Sequence, residues 1–249
     1  MNIYHLTILK FIILFIAGIL LGLSKTGFPG PGIFAVVLVA MVIPARYSVG
    51  IVLSMLVVGD IFGLIYYHRH AVRQHLLKLI PWTICGIFIG YFFMNKVNNR
   101  QLSIFIGVLI LFILCLRLLY ERKLNNNGFK IKKKWWFSGF FGLLAGITTM
   151  MANAAGPITS LYFLSMDLPK IEFMGTGAWF YFLMNWFKVP FNVNLGLINS
   201  HSLYLNLLLI PSILIGALLG ITIMKKINQK IFNILVQIFA AIAAIKLIF

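Results

Sequence analysis

The stretch GLSKTGFPGPGI, residues 22–33, interrupts a chain that is otherwise strongly apolar. It places four glycines and two prolines within twelve residues, beside Ser24, Lys25 and Thr26. Glycine and proline at this density end a helix. The stretch therefore predicts an elbow between two apolar segments, and we interpret it as a binding site at membrane depth.

The composition is that of an integral membrane protein. Of the 249 residues, 61% are hydrophobic and only 10% are charged, and the mean hydropathy is +1.01. Apolar runs that reach or approach 20 residues recur along the chain, as several membrane crossings require. The net charge of +17 comes from Lys and Arg that cluster between these runs. Such clusters indicate membrane topology and contacts with lipid headgroups, not nucleic acid. The sequence predicts an all-α polytopic membrane protein.

Proline and glycine positions recur in the same order in two halves of the chain. PWTICGIFIG at 81–90 matches PSILIGALLG at 211–220, and GPGI at 30–33 matches AGPI at 155–158. Recurrence of this kind indicates an internal repeat. We divide the chain into a first repeat at 1–120, a basic linker at 121–134 and a second repeat at 135–249.

The apolar stretch after each break is too short to cross a bilayer. These stretches run from about Gly32 to Ile43 and from about Gly156 to Met166. A dozen helical residues span roughly 18 Å, whereas the hydrocarbon core is about 30 Å thick. Each repeat is therefore predicted to contain a broken or re-entrant half-helix elbow and three longer helices. It crosses the membrane three or five times, and either odd number inverts the second repeat.

The distribution of basic residues supports this inversion. The stretch HRHAVRQHLLK at 68–78 carries Arg69, Arg73 and Lys78, whereas its counterpart in the second repeat carries only Lys188. Basic residues favour cytoplasmic loops, so the two stretches are predicted on opposite sides. The basic linker is then cytoplasmic and both termini lie outside. Inverted repeats with interrupted helices are typical of secondary transporters.

Both elbows predict an anion site. Pro31 and Pro157 stand near the first position of a half-helix, whose free N–H groups and positive dipole end would face the membrane interior. A helix end contributes only about 0.3–1 kcal/mol, or about 2 when partly buried, against several kcal/mol to desolvate an ion. Side chains must therefore help. The candidates are Ser24, Lys25 and Thr26 in the first elbow, and Thr148, Thr149 and Asn153 in the second.

These polar residues also have structural interpretations. Ser, Thr and Asn can satisfy backbone groups where a helix is broken, and Lys25 can extend to a membrane interface. For Lys188 the interfacial position is the favoured interpretation, and an approach to the anion is the alternative.

Asp60 is the only carboxylate deep in an apolar run, and in the repeat it falls opposite Asn185. An intramembrane carboxylate marks function by default. Asp60 is expected to carry a coupling proton or to neutralise Lys25 or another cation; helix packing is the alternative. Together with Asn185 and Lys188 it forms the predicted coupling or gating set.

The quoted elbows carry a resemblance. GLSKTGFPGPG, residues 22–32, and MMANAAGPITS, residues 150–160, resemble the TauE/SafE sulfite exporter family, also called the 4-toluene sulfonate uptake permeases. The resemblance extends from about Phe11 to Phe249. It implies a transporter of the bacterial inner membrane for sulfur-containing anions such as sulfite, sulfoacetate or other organosulfonates. The sequence has no nucleotide-binding loop, catalytic triad pattern or paired carboxylates, so we expect no enzymatic activity, cofactor or metal. The resemblance also implies that the matching elbow positions bind the anion. These positions are Gly27, Gly30, Gly32, Asn153, Ala155, Gly156 and Pro157.

Export is the favoured direction. With an inside-negative potential of 100 mV, each negative charge expelled gains about 2.3 kcal/mol, so export needs no coupled cation. The first alternative is proton- or sodium-coupled uptake with Asp60 as the carrier. The second is a membrane scaffold that binds partners through Lys130–Lys134. A homo-oligomer is left open. We expect Lys25→Ala, or a bulky residue at Gly30, to abolish transport while the protein still folds.

Overall fold

A computed structural model describes residues 7–93 and 135–248, together with six helical residues between 104 and 115. Ranges 7–93 and 135–248 form nine α-helices and one short 3-10 turn, His68–His70, with no strand among them. The helices are α1 Ile8–Thr26, α2 Pro31–Val42, α3 Ala45–Tyr67, α4 Arg73–Phe93, α5 Trp135–Ala152, α6 Ala155–Ser165, α7 Lys170–Asn194, α8 Ser200–Lys226 and α9 Gln229–Ile248.

The predicted all-helical membrane class is confirmed. Six of the described helices, α1, α3, α4, α5, α8 and α9, are long and apolar enough to cross a membrane. Helix α7 has 25 residues but is not one of the six. It is the most polar of the long helices because it carries Lys170, Glu172, Lys188 and several Asn. Much of this helix is buried, and the polar residues of its middle part, Thr176, Asn185, Lys188 and Asn192, are buried in the protein interior.

The two short helices begin and end within one residue of the predicted bounds. Helix α2 has 12 residues and starts at Pro31, and α6 has 11 residues with Pro157 at its third position. The second repeat shows the predicted order of one helix, one half-helix and three longer helices. In the first repeat the fifth segment lies mostly outside the described residues, and the basic linker lies wholly outside them.

Helices α3 and α7, which occupy equivalent places in the two predicted repeats, cross in opposite directions. Contacts along the two helices and just beyond their ends pair His70 with Gly175, Asp60 with Asn185, and Gly50 with Leu197, so one number falls as the other rises. The equivalent residues Asp60 and Asn185 meet at the crossing. This is the contact order that an inverted repeat requires, and the inversion itself stays a prediction.

Glycines let helices of the two repeats approach to backbone contact. Helix α4 packs along α5, and a methyl group added at Gly86 would lie 2.9 Å from the Cα of Gly146. Helix α1 packs along α8, where a methyl added at Gly216 would lie 2.9 Å from the Cα of Ile19. Small residues at such crossings allow close packing of membrane helices. The first helix of each repeat is thus held against the fourth helix of the other.

We expect Gly146→Leu to destabilise the protein by roughly 1–3 kcal/mol or more, since the added side chain forces α4 and α5 apart. At about 2–4 °C per kcal/mol the melting temperature in detergent falls by several degrees. Gly177→Ala is the control, because its methyl meets no atom closer than 3.6 Å. Equal melting temperatures for both variants would contradict the close α4–α5 contact.

Candidate functional site: a cavity between the two elbows

A cavity of about 80 Å³ lies where α2 and α6 begin. Its wall includes residues of both elbows, of α3 and α7, and of α9 near the end of the chain. The wall combines polar and apolar side chains. The main polar residues are Ser24, Lys25, Thr149, Asn153, Tyr181 and Asn185, and the main apolar residues are Ile33, Val36, Leu56, Val236 and Phe239.

The first elbow depends on Gly30. Helix α1 ends when the N–H of Gly27 donates to the carbonyl of Leu23 at 2.8 Å. Gly30 then has a φ of 142°, a conformation that side chains disfavour, and Pro31 opens α2 with its fixed φ. A side chain at Gly30 would also collide with the ring of Phe239.

The expectation that a bulky residue at Gly30 blocks transport in a folded protein therefore has to be corrected. Both the backbone conformation and the contact with Phe239 make such a variant strained. Loss of transport in that variant would not distinguish a blocked cavity from a damaged fold.

The second elbow is built around Asn153, whose φ of 52° is unusual for a residue other than glycine. Its backbone N–H donates to the Thr149 carbonyl at 3.1 Å, and the next N–H, of Ala154, donates to the Thr148 carbonyl at 3.3 Å. The side-chain amide of Asn153 donates to the Val49 carbonyl at 3.0 Å. The elbow is thereby fixed to α3 of the other repeat.

The first turns of both half-helices offer uncapped N–H groups to the cavity. Neither N-cap residue, Gly30 or Ala154, provides a side-chain hydrogen bond. Pro31 and Pro157 have no N–H, and the N–H of Ile33 donates to the Gly30 carbonyl at 3.0 Å. The first-turn donors that remain are those of Gly32, Ala155 and Gly156, and all three residues line the cavity. Two positive helix ends therefore face the same small volume.

Lys25, which lines the cavity, forms a buried ion pair with Asp60. Its Nζ lies 2.5 Å from Oδ1 of Asp60, and the two side chains are only 9% and 0% exposed. Asn185 donates from Nδ2 to Oδ2 of the same carboxylate at 2.6 Å. Of the roles considered for Asp60, the structure shows the neutralising contact with Lys25. Lys25 is also not an interfacial lysine.

The ring of Tyr181 also contacts the Lys25 ammonium. The Nζ lies 4.4 Å from the centre of the Tyr181 ring, within range of a cation–π contact. The hydroxyl of Tyr181 forms a hydrogen bond with that of Thr159 in the second half-helix. Lys25 thus lines the cavity, held between a carboxylate and an aromatic ring.

The expected interfacial position of Lys188 is wrong. Its side chain is fully buried, and its Nζ donates to Oδ1 of Asn153 at 2.8 Å and to both Oγ1 and the carbonyl of Thr149, at 2.8 and 3.1 Å. Lys188 does not line the cavity; it lies behind the two second-elbow residues that do.

Most of the candidate residues come together at this cavity. Those that line it are Ser24, Lys25, Gly30, Gly32, Thr149, Asn153, Ala155, Gly156, Pro157 and Asn185. Asp60 lies behind Lys25. Thr26 and Gly27 face away: the Thr26 hydroxyl donates to the Ala217 carbonyl at 2.6 Å, and Gly27 packs on Gly220. Thr148 is buried and donates to the Ala145 carbonyl.

Sequence reasoning missed Tyr181 and Phe239. Tyr181 lies one turn before Asn185 on α7, so extending the candidate face of that helix would have identified it. Phe239 belongs to α9 and meets Phe28 and Phe34 only through the tertiary fold. No local pattern marks it.

Comparison with known proteins gives one family. The family model described as Sulfite exporter TauE/SafE matches residues 10–247, nearly the whole chain. No curated protein and no solved structure matches.

Proposed function

The chain belongs to the sulfite exporter TauE/SafE family of membrane transporters, and we propose that it carries a small sulfur-containing anion through the cavity between its two elbows. The observation that carries the proposal is the convergence of Lys25 and two half-helix N-termini on one volume of about 80 Å³. Each of these groups favours a negative charge.

The electrostatic contributions are sufficient only in combination. Two helix ends together supply about 0.6–2 kcal/mol, or up to about 4 kcal/mol when partly buried. A hydrogen bond from a charged donor adds roughly 1.5–3 kcal/mol. Lys25 therefore contributes as much as the helix ends, and its pairing with Asp60 keeps the empty site from holding an isolated charge.

The mixture of polar and apolar residues in the cavity wall supports an organosulfonate, such as sulfoacetate, alongside sulfite. The anionic group would face Lys25, Asn185 and the N–H groups of Gly32 and Gly156. A short organic group would lie against Val36 and Phe239. Most binding sites for small molecules combine an apolar wall with a few placed polar groups in this way.

Transport would follow from the repeat. In an inverted repeat, rocking one half against the other exposes a central site to each side in turn. The antiparallel α3–α7 crossing next to the cavity supports this mechanism. We place the protein in the bacterial inner membrane with the basic linker in the cytoplasm, and we propose export as the direction.

Flux measurements in proteoliposomes test the proposal. We expect radiolabelled sulfite or sulfoacetate to cross membranes that contain the wild-type protein, and the double variant Lys25→Met with Asp60→Leu, which removes both members of the buried ion pair, to reduce the rate at least tenfold. Lys225→Met is the matched control, since Lys225 is exposed at the end of α8. Flux of neither anion, or equal flux for both variants, would contradict the proposal.

Proton-coupled uptake remains the second candidate, because Asp60 is a buried carboxylate next to the cavity. If Asp60 carries the coupling proton, Asp60→Asn must lose accumulation driven by a pH gradient. An Asp60→Asn protein that still accumulates the anion would exclude this candidate. The scaffold alternative depends on the linker, which lies outside the described residues.

A further inference from the structure

The ammonium of Lys188 occupies an oxygen-lined site within the second elbow. It is fully buried, and its three hydrogen bonds go to the carbonyl and hydroxyl oxygens of Thr149 and to Oδ1 of Asn153, at 2.8–3.1 Å. No carboxylate is among these contacts. An ammonium has three donors and no acceptor, and the three oxygens supply one acceptor for each donor.

The orientation of these oxygens is set by the broken helix. Thr149 lies in the last turn of α5, at the negative end of the helix dipole, and its carbonyl accepts from both the Asn153 N–H and the Lys188 ammonium, each at 3.1 Å. Asn153 has a φ of 52°, and its amide Nδ2 is bound to the Val49 carbonyl, which leaves Oδ1 for the ammonium. The elbow therefore presents three oxygen acceptors to one buried point, an arrangement that suits a cation.

Carbonyl, hydroxyl and amide oxygens at an interrupted helix are the ligands that hold a coupling sodium ion in many transporters. We propose that Lys188 is a cation tethered in such a site, and that its ammonium takes the place of a sodium ion. The chain itself then supplies the cation of the second elbow, and transport does not depend on sodium. The inference rests on the proposed function and specifies its coupling.

A direct contact between Lys188 and the transported anion fits the geometry less well. Lys188 does not line the cavity, and its three donors are used within the elbow. Thr149 and Asn153 do line the cavity. Lys188 is therefore a positioning residue that acts on the anion site through them.

The test removes the tethered cation and offers a free one. Lys188→Ala leaves the three oxygens and an open space, whereas Lys188→Met keeps the bulk without the charge. Melting temperatures of purified protein are measured in sodium chloride and in choline chloride at equal ionic strength. We expect sodium at ten times its dissociation constant to raise the melting temperature of Lys188→Ala by roughly 3–6 °C. Methylammonium should do the same, and wild type and Lys188→Met should not respond.

Each outcome decides the inference. If sodium and methylammonium raise the melting temperature of Lys188→Ala, or if this variant folds only in their presence, the inference is supported. If neither ion changes its melting temperature, or if it stays unfolded in all of the salts, the inference is overturned. A saturable sodium response of the wild type, or sodium-dependent anion flux, also overturns it. Absence of all anion flux would instead contradict the proposed function, because the melting measurement does not require transport.

Discussion

Asp60→Leu and Lys25→Met are each expected to lower the free energy of unfolding by about 3–5 kcal/mol, while the double variant stays close to wild type. Each single change leaves a buried charge without its partner, and this penalty is large. The double change removes both charges, and replacing a buried pair by apolar residues is often neutral or stabilising. The side chains of Lys25 and Asp60 are 9% and 0% exposed, so solvent screens neither.

Thermal unfolding in detergent measures this double-mutant cycle. At about 2–4 °C per kcal/mol, each single variant should melt roughly 6–20 °C lower. Lys225→Met serves as the control for losing a lysine. Additive effects of the two changes would show that the ion pair does not couple the residues.

The double variant also separates folding from function. It is expected to fold and yet not to transport, because Lys25 is needed for the anion as well as for Asp60. A double variant with wild-type flux would remove Lys25 from the site.

Gly156→Leu is expected to abolish transport without loss of stability. Gly156 lines the cavity, and a Cβ at this position would meet no atom within 4 Å. The leucine side chain would therefore fill the space that we assign to the anion. Gly156→Ala should fold at least as well as wild type, since alanine favours a helix by up to about 1 kcal/mol over glycine.

Anion flux and melting temperature, measured on the same preparations, check the Gly156 series. Flux should fall from Gly to Ala to Leu, while Gly177→Ala keeps wild-type flux. Full transport by Gly156→Leu would place the anion path elsewhere.

The breaks in the fold could be predicted from local sequence because proline and glycine act through their own backbone. Pro31 and Gly30 stop and restart a helix whatever surrounds them. The breaks needed no knowledge of long-range packing. The repeat aligned Asp60 with Asn185, but their hydrogen bond depends on the crossing of α3 and α7, which only the fold shows.

The partners of individual side chains could not be predicted in the same way. Lys188 was assigned to an interface because a lone lysine in an apolar helix usually extends to water. Its oxygen ligands lie 35 and 39 residues earlier, at Asn153 and Thr149, and only the fold brings them to it. Thr26 follows Lys25 directly, but the helix turns its hydroxyl toward α8 and away from the cavity.

The central claim is that the anion is held between the N-termini of α2 and α6. Crystals soaked with 2-bromoethanesulfonate and measured at the bromine absorption edge would test it most directly. The expected result is an anomalous peak in the cavity beside Val36 and Phe239, with the sulfonate density next to Lys25 and Gly156. A peak outside the cavity, or an empty cavity at saturating ligand, would contradict the claim.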